Sequence, residues 1–86
     1  MEIQYVDDSI LDLKFWKKSG NKAIQKKIEN LIQAILENPY DGIGKPEALK
    51  HEMSGKWSRR ISEEHRIIYE IADEILYIYS LKGHYK

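Results

Sequence analysis

Trp57-Ser58-Arg59-Arg60-Ile61-Ser62-Glu63-Glu64-His65-Arg66-Ile67-Ile68-Tyr69-Glu70-Ile71-Ala72-Asp73-Glu74-Ile75-Leu76-Tyr77-Ile78-Tyr79-Ser80-Leu81 decides the fold. Its apolar residues recur every second position: Trp57 and Ile61 alternate with Ser58, Arg60 and Ser62. Ile67, Tyr69 and Ile71 alternate with Arg66, Ile68 and Glu70, and Ile75, Tyr77, Tyr79 and Leu81 with Leu76, Ile78 and Ser80. A period of two and a wealth of β-branched and aromatic residues specify strands. Ser54-Gly55, Glu63-Glu64 and Asp73-Glu74 are short polar breaks suited to hairpin turns. Strands near 48–53, 56–62, 65–72 and 75–81 are therefore expected in an antiparallel meander.

Upstream the period changes. Ile24, Ile28, Leu31, Ile32, Ile35 and Leu36 are spaced by threes and fours, with Lys22, Lys26, Lys27 and Glu29 falling elsewhere, which specifies an amphipathic helix. Asn38-Pro39 stops it, and the stretch from Tyr40 to Pro46 reads as loop. Before it, Ile3 and Tyr5 suit a short strand. Asp7-Asp8-Ser9 offers N-cap side chains for a helix with Ile10, Leu13 and Trp16 on one stripe, ended by Gly20-Asn21. The predicted class is α+β, with an N-terminal strand and two helices on one face of an antiparallel sheet. The helices bury the isoleucine and tyrosine faces. The other sheet face is left for chemistry.

With 86 residues, 42% of them hydrophobic, the chain supports one domain, 1–86, with a single core. A chain this size buries only about 60 to 65% of its unfolded surface, so it folds with a narrow margin that a partner can widen. The absence of cysteine excludes a disulfide scaffold, a thiol nucleophile and cysteine-based metal sites. The N-terminus has no signal-peptide pattern, and no apolar run approaches the roughly 18 to 20 residues that span a bilayer, so a cytoplasmic protein without membrane contact is expected.

Formal net charge is zero. The charges are nevertheless segregated: Lys14, Lys17, Lys18, Lys22, Lys26 and Lys27 lie in a stretch free of acids, whereas 61–81 carries Glu63, Glu64, Glu70, Asp73 and Glu74 against Arg66 alone. A phosphate-binding face can exist on a neutral molecule. The six lysines form either a solvated helix face or a contact surface for a nucleic-acid backbone, which rewards clustered cations through counterion release. Trp16 and Trp57 read as core or sheet-edge aromatics rather than base-stacking platforms.

His51, His65 and His84 lack metal-ligand spacing, and Gly42-Ile43-Gly44-Lys45 does not open a helix as a phosphate loop must, so neither a metal nor a nucleotide cofactor is expected. Ser54 and Ser58 lack a nucleophile elbow and read as turn and strand-surface residues. The sheet half does concentrate ionisable groups. Arg60 and Arg66 come from neighbouring strands across a tight turn, so both guanidiniums can rise from one face and clamp a phosphate, while Arg59 runs along the core edge. Glu47 opens the first meander strand, and His84 follows the last. A carboxylate, an imidazole and two arginines are the minimum set for metal-free RNA cleavage: a base for the 2′-hydroxyl, an acid for the departing 5′-oxygen and cations for the charge on phosphorus. DNA lacks that hydroxyl. An ordinary solvated sheet face is the competing reading of the same residues.

Gly44-Lys45-Pro46-Glu47-Ala48-Leu49-Lys50-His51, then Ser54 to Tyr69 with its W-S-R-R-I-x-E-E-H-R core, and Gly83-His84-Tyr85 at the end resemble the YoeB/Txe toxins of the RelE superfamily. The resemblance spans nearly the whole chain. It implies the RelE-like fold and a toxin of a bacterial type II toxin-antitoxin pair, a ribosome-dependent, metal-independent endoribonuclease that enters the A site and cuts translated messenger RNA. It puts the general base on Glu47, phosphate stabilisation on Arg66 and the general acid on His84. Substrate binding falls on Lys50 and Arg60, and the terminal aromatic on Tyr85. Implied partners are a YefM-type antitoxin, the 70S ribosome with its messenger, and a second copy in a homodimer. Lys86 is a departure, because the family commonly ends at the tyrosine. The alternative class is a nonenzymatic toxin of the ParE kind, or an inactive remnant, acting only through protein binding; it would have no need of Glu47, Arg66 and His84 together.

Overall fold

A computed structural model describes residues 1–83. The elements are β1 (Glu2–Tyr5), α1 (Ser9–Ser19), α2 (Lys22–Glu37), β2 (Glu47–Ala48), a 3-10 turn at His51–Met53, β3 (Trp57–Arg60), β4 (Arg66–Ala72) and β5 (Ile75–Ser80). The sheet runs β1-β5-β4-β3-β2. β2 to β5 form the expected antiparallel meander, and β1 adds in parallel along β5. The two helices cover one face of this mixed sheet, making the fold α+β as anticipated.

Two sequence signals do most of the local work. Ala72 pairs with Ile75 across Asp73 and Glu74, both at positive φ (52° and 61°), which is the backbone of a two-residue hairpin whose twist matches the strands it joins. Asn21 caps α2, its side-chain oxygen accepting from the Ile24 N–H at 3.0 Å. Ile28, Leu31 and Ile35 of that helix are buried against Ile67, Tyr69, Leu76 and Ile78 of the sheet, and Trp16 and Leu81 close the core.

Four local expectations are corrected. The strand expected at 48–53 is a two-residue bridge followed by the 3-10 turn, because His51 takes φ 57° and breaks the extended path. Ile10 is exposed on α1, whose packing face is narrower than the proposed stripe and centres on Trp16. Asp8 makes no side-chain cap; the Ser9 hydroxyl instead donates to the Val6 carbonyl at 2.7 Å. On β5 the core side is Leu76 and Ile78, so Tyr77 and Tyr79 stand on the open face.

Candidate active site

The pairing register places the candidate residues. Glu47 stands opposite Ser58, Ser58 opposite Ile68, and Arg60 opposite Arg66. Directly paired residues share a face, and positions two apart along one strand do as well. Glu47, Ser58, Arg60, Arg66 and Ile68 therefore lie together on the face away from the helices, while Trp57, Ile67 and Tyr69 point into the core. The arginine pair inferred from the turn is the last rung of the β3–β4 ladder. Ser58 is fully buried rather than a strand-surface residue, since Arg66 lies over it with Nη1 at 3.4 Å from its hydroxyl. Arg60 and Arg66 are half-buried, whereas Glu47 and Lys50 are exposed. An open cleft of about 540 Å³ follows residues 47 to 53.

The loop that delivers Glu47 is shaped by Arg59 of β3. Arg59 was expected along the core edge and is instead completely buried. Its Nε donates to the Tyr69 hydroxyl (3.2 Å), Nη1 to the Ile43 carbonyl (3.2 Å), and Nη2 to the carbonyls of Asn38 (2.6 Å) and Asp41 (2.9 Å). The Tyr69 hydroxyl in turn donates to the Pro39 carbonyl at 2.6 Å. Burial raises the Tyr69 pKa above its ordinary value, against the opposing pull of the Arg59 guanidinium. A cage of main-chain carbonyls thus solvates a buried cation and pins the 38–43 loop to β3 and β4. Gly44 completes the approach: at φ 83° its carbonyl accepts from the Arg60 N–H (2.6 Å), and a Cβ there would meet Leu31 Cδ2 at 2.7 Å. Alternation along β3 put Arg59 on the inner side, but nothing in the sequence pointed to carbonyl partners 16 to 21 positions away.

Beyond β5 the chain runs on between α1 and the start of β4. Leu81 donates its N–H to Asp12 Oδ2 (2.9 Å) and accepts at its carbonyl from Trp16 Nε1 (2.8 Å), so α1 holds the end of the strand. The Gly83 carbonyl accepts from the Arg66 N–H (3.0 Å), and the Gly83 N–H donates to His65 Nδ1 (2.9 Å). The chain position before His84 therefore lies at the backbone of Arg66. His84 and Tyr85, to which acid and aromatic roles were assigned, lie outside the described residues, as does Lys86.

Farther along the open face, Tyr79 donates to Glu70 Oε1 at 2.7 Å, with Lys56 Nζ 3.9 Å from its ring centroid. That bond to Glu70, reinforced by burial and by the charge of Glu70, raises the Tyr79 pKa to about 12. Of the helix lysines, Lys14, Lys17, Lys18, Lys22 and Lys26 are exposed and Lys27 is half-buried; Lys26 lies 3.9 Å from Glu29. Trp16 is buried and Trp57 is half-buried against Tyr40, ring centroids 4.9 Å apart, in keeping with their reading as packing residues. No group of three metal-ligating side chains occurs among the described residues, and none of their helices is long and apolar enough to cross a membrane.

A two-helix layer on one face of this sheet, with a carboxylate and paired arginines on the other, defines a small α+β protein, and comparison with known proteins supplies its class. Residues 5–85 match the model of the YoeB-like toxin of bacterial type II toxin-antitoxin systems. Toxin YoeB of Synechocystis is 48% identical over 86 residues, all of this chain and 99% of the relative. A YoeB/ParE toxin from Agrobacterium tumefaciens superposes with a TM-score of 0.94 at 36% identity, covering 99% of this chain and all of that one. The toxin of a YoeB–YefM complex from Staphylococcus aureus gives 0.88 at 40% identity, covering 99% and 98%, and a YoeB dimer from that organism gives 0.89 at 38% with the same coverage. The chain belongs to the YoeB-like toxin family.

Proposed function

We propose that this toxin is a ribosome-dependent endoribonuclease that cuts translated messenger RNA in the A site by internal attack. The observation that carries the reading is the register that sets Glu47, Arg60 and Arg66 on one open face, together with the clasp that brings Gly83, the residue before His84, to Arg66. Glu47 removes the proton of the 2′-hydroxyl, whose oxygen attacks the adjacent phosphorus. As the bond from phosphorus to the 5′-oxygen breaks, His84 gives that oxygen a proton. Arg66 and Arg60 stabilise the extra charge on the phosphoryl oxygens, with Lys50 binding the strand and Tyr85 the neighbouring base. The products are a 2′,3′-cyclic phosphate and a 5′-hydroxyl. Base, acid and charge stabilisation all come from side chains, and the nucleophile from the substrate.

The helix lysines supply a cationic surface toward ribosomal RNA. A YefM-type antitoxin neutralises the toxin, as the Staphylococcus complex suggests by family membership, and the toxin pairs with a second copy as in the dimer of that organism. Its place of work is the cytoplasm, where messengers are translated. Mapping the cleavage of a translated messenger with and without ribosomes, and in EDTA once ribosome integrity is controlled for, tests the reading. Cuts confined to translated message and ending in a cyclic phosphate are expected. Intact message under translation, with growth still inhibited, would show instead a ParE-like toxin that acts by binding protein.

A further inference from the structure

Gly83 is gripped by two consecutive residues. His65 Nδ1 accepts its N–H at 2.9 Å, and the Arg66 N–H donates to its carbonyl at 3.0 Å. Both main-chain polar groups of the residue preceding His84 are thereby satisfied from the start of β4. The His65 ring is held in turn: it meets Trp16 edge to face, centroids 4.9 Å apart and planes at 85°, and the Trp16 indole N–H is committed to the Leu81 carbonyl at 2.8 Å. One aromatic pair thus holds residues 81 and 83 at once. Gly83 sits at φ 78°, in the left-handed region, so the chain turns sharply where His65 grips it.

We infer that His65 is a positioning residue, which accepts the Gly83 N–H at Nδ1 and so fixes the residue preceding His84 against the backbone of Arg66. The inference rests on His84 being the general acid. A neutral imidazole has one donor and one acceptor nitrogen, so Nδ1 can accept only in the tautomer with its proton on Nε2. Positioning of Gly83 needs the acceptor at the Nδ1 position, whereas the ring adds packing against Trp16. Phenylalanine supplies the ring without the acceptor, and asparagine an acceptor near that position without the ring. Proton donation to a leaving oxygen depends steeply on placement, and a displacement of about 1 Å can cost roughly a hundredfold in rate.

The test combines spectroscopy on the wild-type chain with single-turnover cleavage on ribosomes. A nitrogen–nitrogen coupling between the Gly83 amide and His65 Nδ1, with Nε2 carrying the proton, is the expected signature; no coupling overturns the inference. His65→Phe should cut the cleavage rate roughly 10- to 100-fold while ribosome affinity holds, and His65→Asn should recover most of the loss. His65→Phe cleaving within about twofold of wild type, or His65→Asn as slow as His65→Phe, overturns it. His84→Gln assayed alongside separates the two claims. Full cleavage by that variant removes the general-acid reading, whereas an inactive His84→Gln beside a fully active His65→Phe removes the positioning role alone.

Discussion

Arg59 gives the sharpest test of how the loop bearing Glu47 is built. Arg59→Met keeps much of the aliphatic volume and deletes four hydrogen bonds, to Tyr69 and to the carbonyls of Asn38, Asp41 and Ile43. Bonds from a charged donor are worth about 1.5 to 3 kcal/mol each, but the sum overstates the loss. Burying the guanidinium costs several kcal/mol, and that cost disappears with the charge. Asn38, Asp41 and Ile43 are exposed residues whose freed carbonyls can turn to water, and the Tyr69 hydroxyl keeps its bond to Pro39. A net loss of about 2 to 4 kcal/mol follows. At roughly 0.05 to 0.15 kcal/mol per residue the 86-residue chain has only about 4 to 13 kcal/mol in all. Urea unfolding by tryptophan fluorescence, in a Glu47→Gln background that permits expression, should move the midpoint down by about 2 to 4 M for a slope near 1 kcal/mol/M. Arg59→Lys should recover little, because one ammonium cannot span diverging acceptors that a planar fork reaches together. If Arg59→Met unfolds within about 0.5 kcal/mol of its background, the carbonyl cage does not hold the loop.

Glu47→Gln, Arg66→Ala and His84→Gln should each leave the fold intact and lower single-turnover cleavage by roughly 10²- to 10⁴-fold, the range for lost acid, base or charge-stabilising groups; near-normal killing by any one of them rejects its assignment. Replacing several of Lys14, Lys17, Lys18, Lys22, Lys26 and Lys27 by Gln should weaken ribosome binding and flatten its salt dependence while the chemical step survives, and wild-type binding at every salt concentration would leave a merely solvated helix face. A saturating YefM-type antitoxin should raise the melting temperature, by about 2.7 kcal/mol in stability at a hundredfold excess over Kd, and an unchanged melting temperature would contradict the pairing. In an alkaline absorbance titration Tyr79 should ionise near pH 12, and Tyr79→Phe should delete that phase. A pKa raised in the folded state means that the Tyr79 contribution is intact below about pH 10 and lost as pH climbs through 12, so the variant should lose less stability over that interval.

The division between sequence and tertiary structure follows the range of the interactions. Periodicity alone determined α2, β3, β4 and β5, and the Asp73-Glu74 turn, because apolar spacing and turn chemistry act over a few residues. The shared face of the arginines was legible because alternation puts Arg60 and Arg66 on the polar side of neighbouring strands; their direct pairing, with the connection centred on Glu63 and not on Glu63-Glu64, came from the tertiary register. Motif resemblance, not periodicity, singled out Glu47, Arg66 and His84 within that cluster. Residues 48–53 defeated the pattern, since positive φ at His51 curls a segment that otherwise suits a strand. Ser58 looked solvated because alternation cannot see an arginine laid across it from the next strand. The carbonyl cage of Arg59, the hold of Asp12 and Trp16 on Leu81, and the grip of His65 on Gly83 were decided by tertiary structure alone. Each joins groups far apart in the chain, and a buried donor or acceptor takes whichever partner the packed core brings within reach.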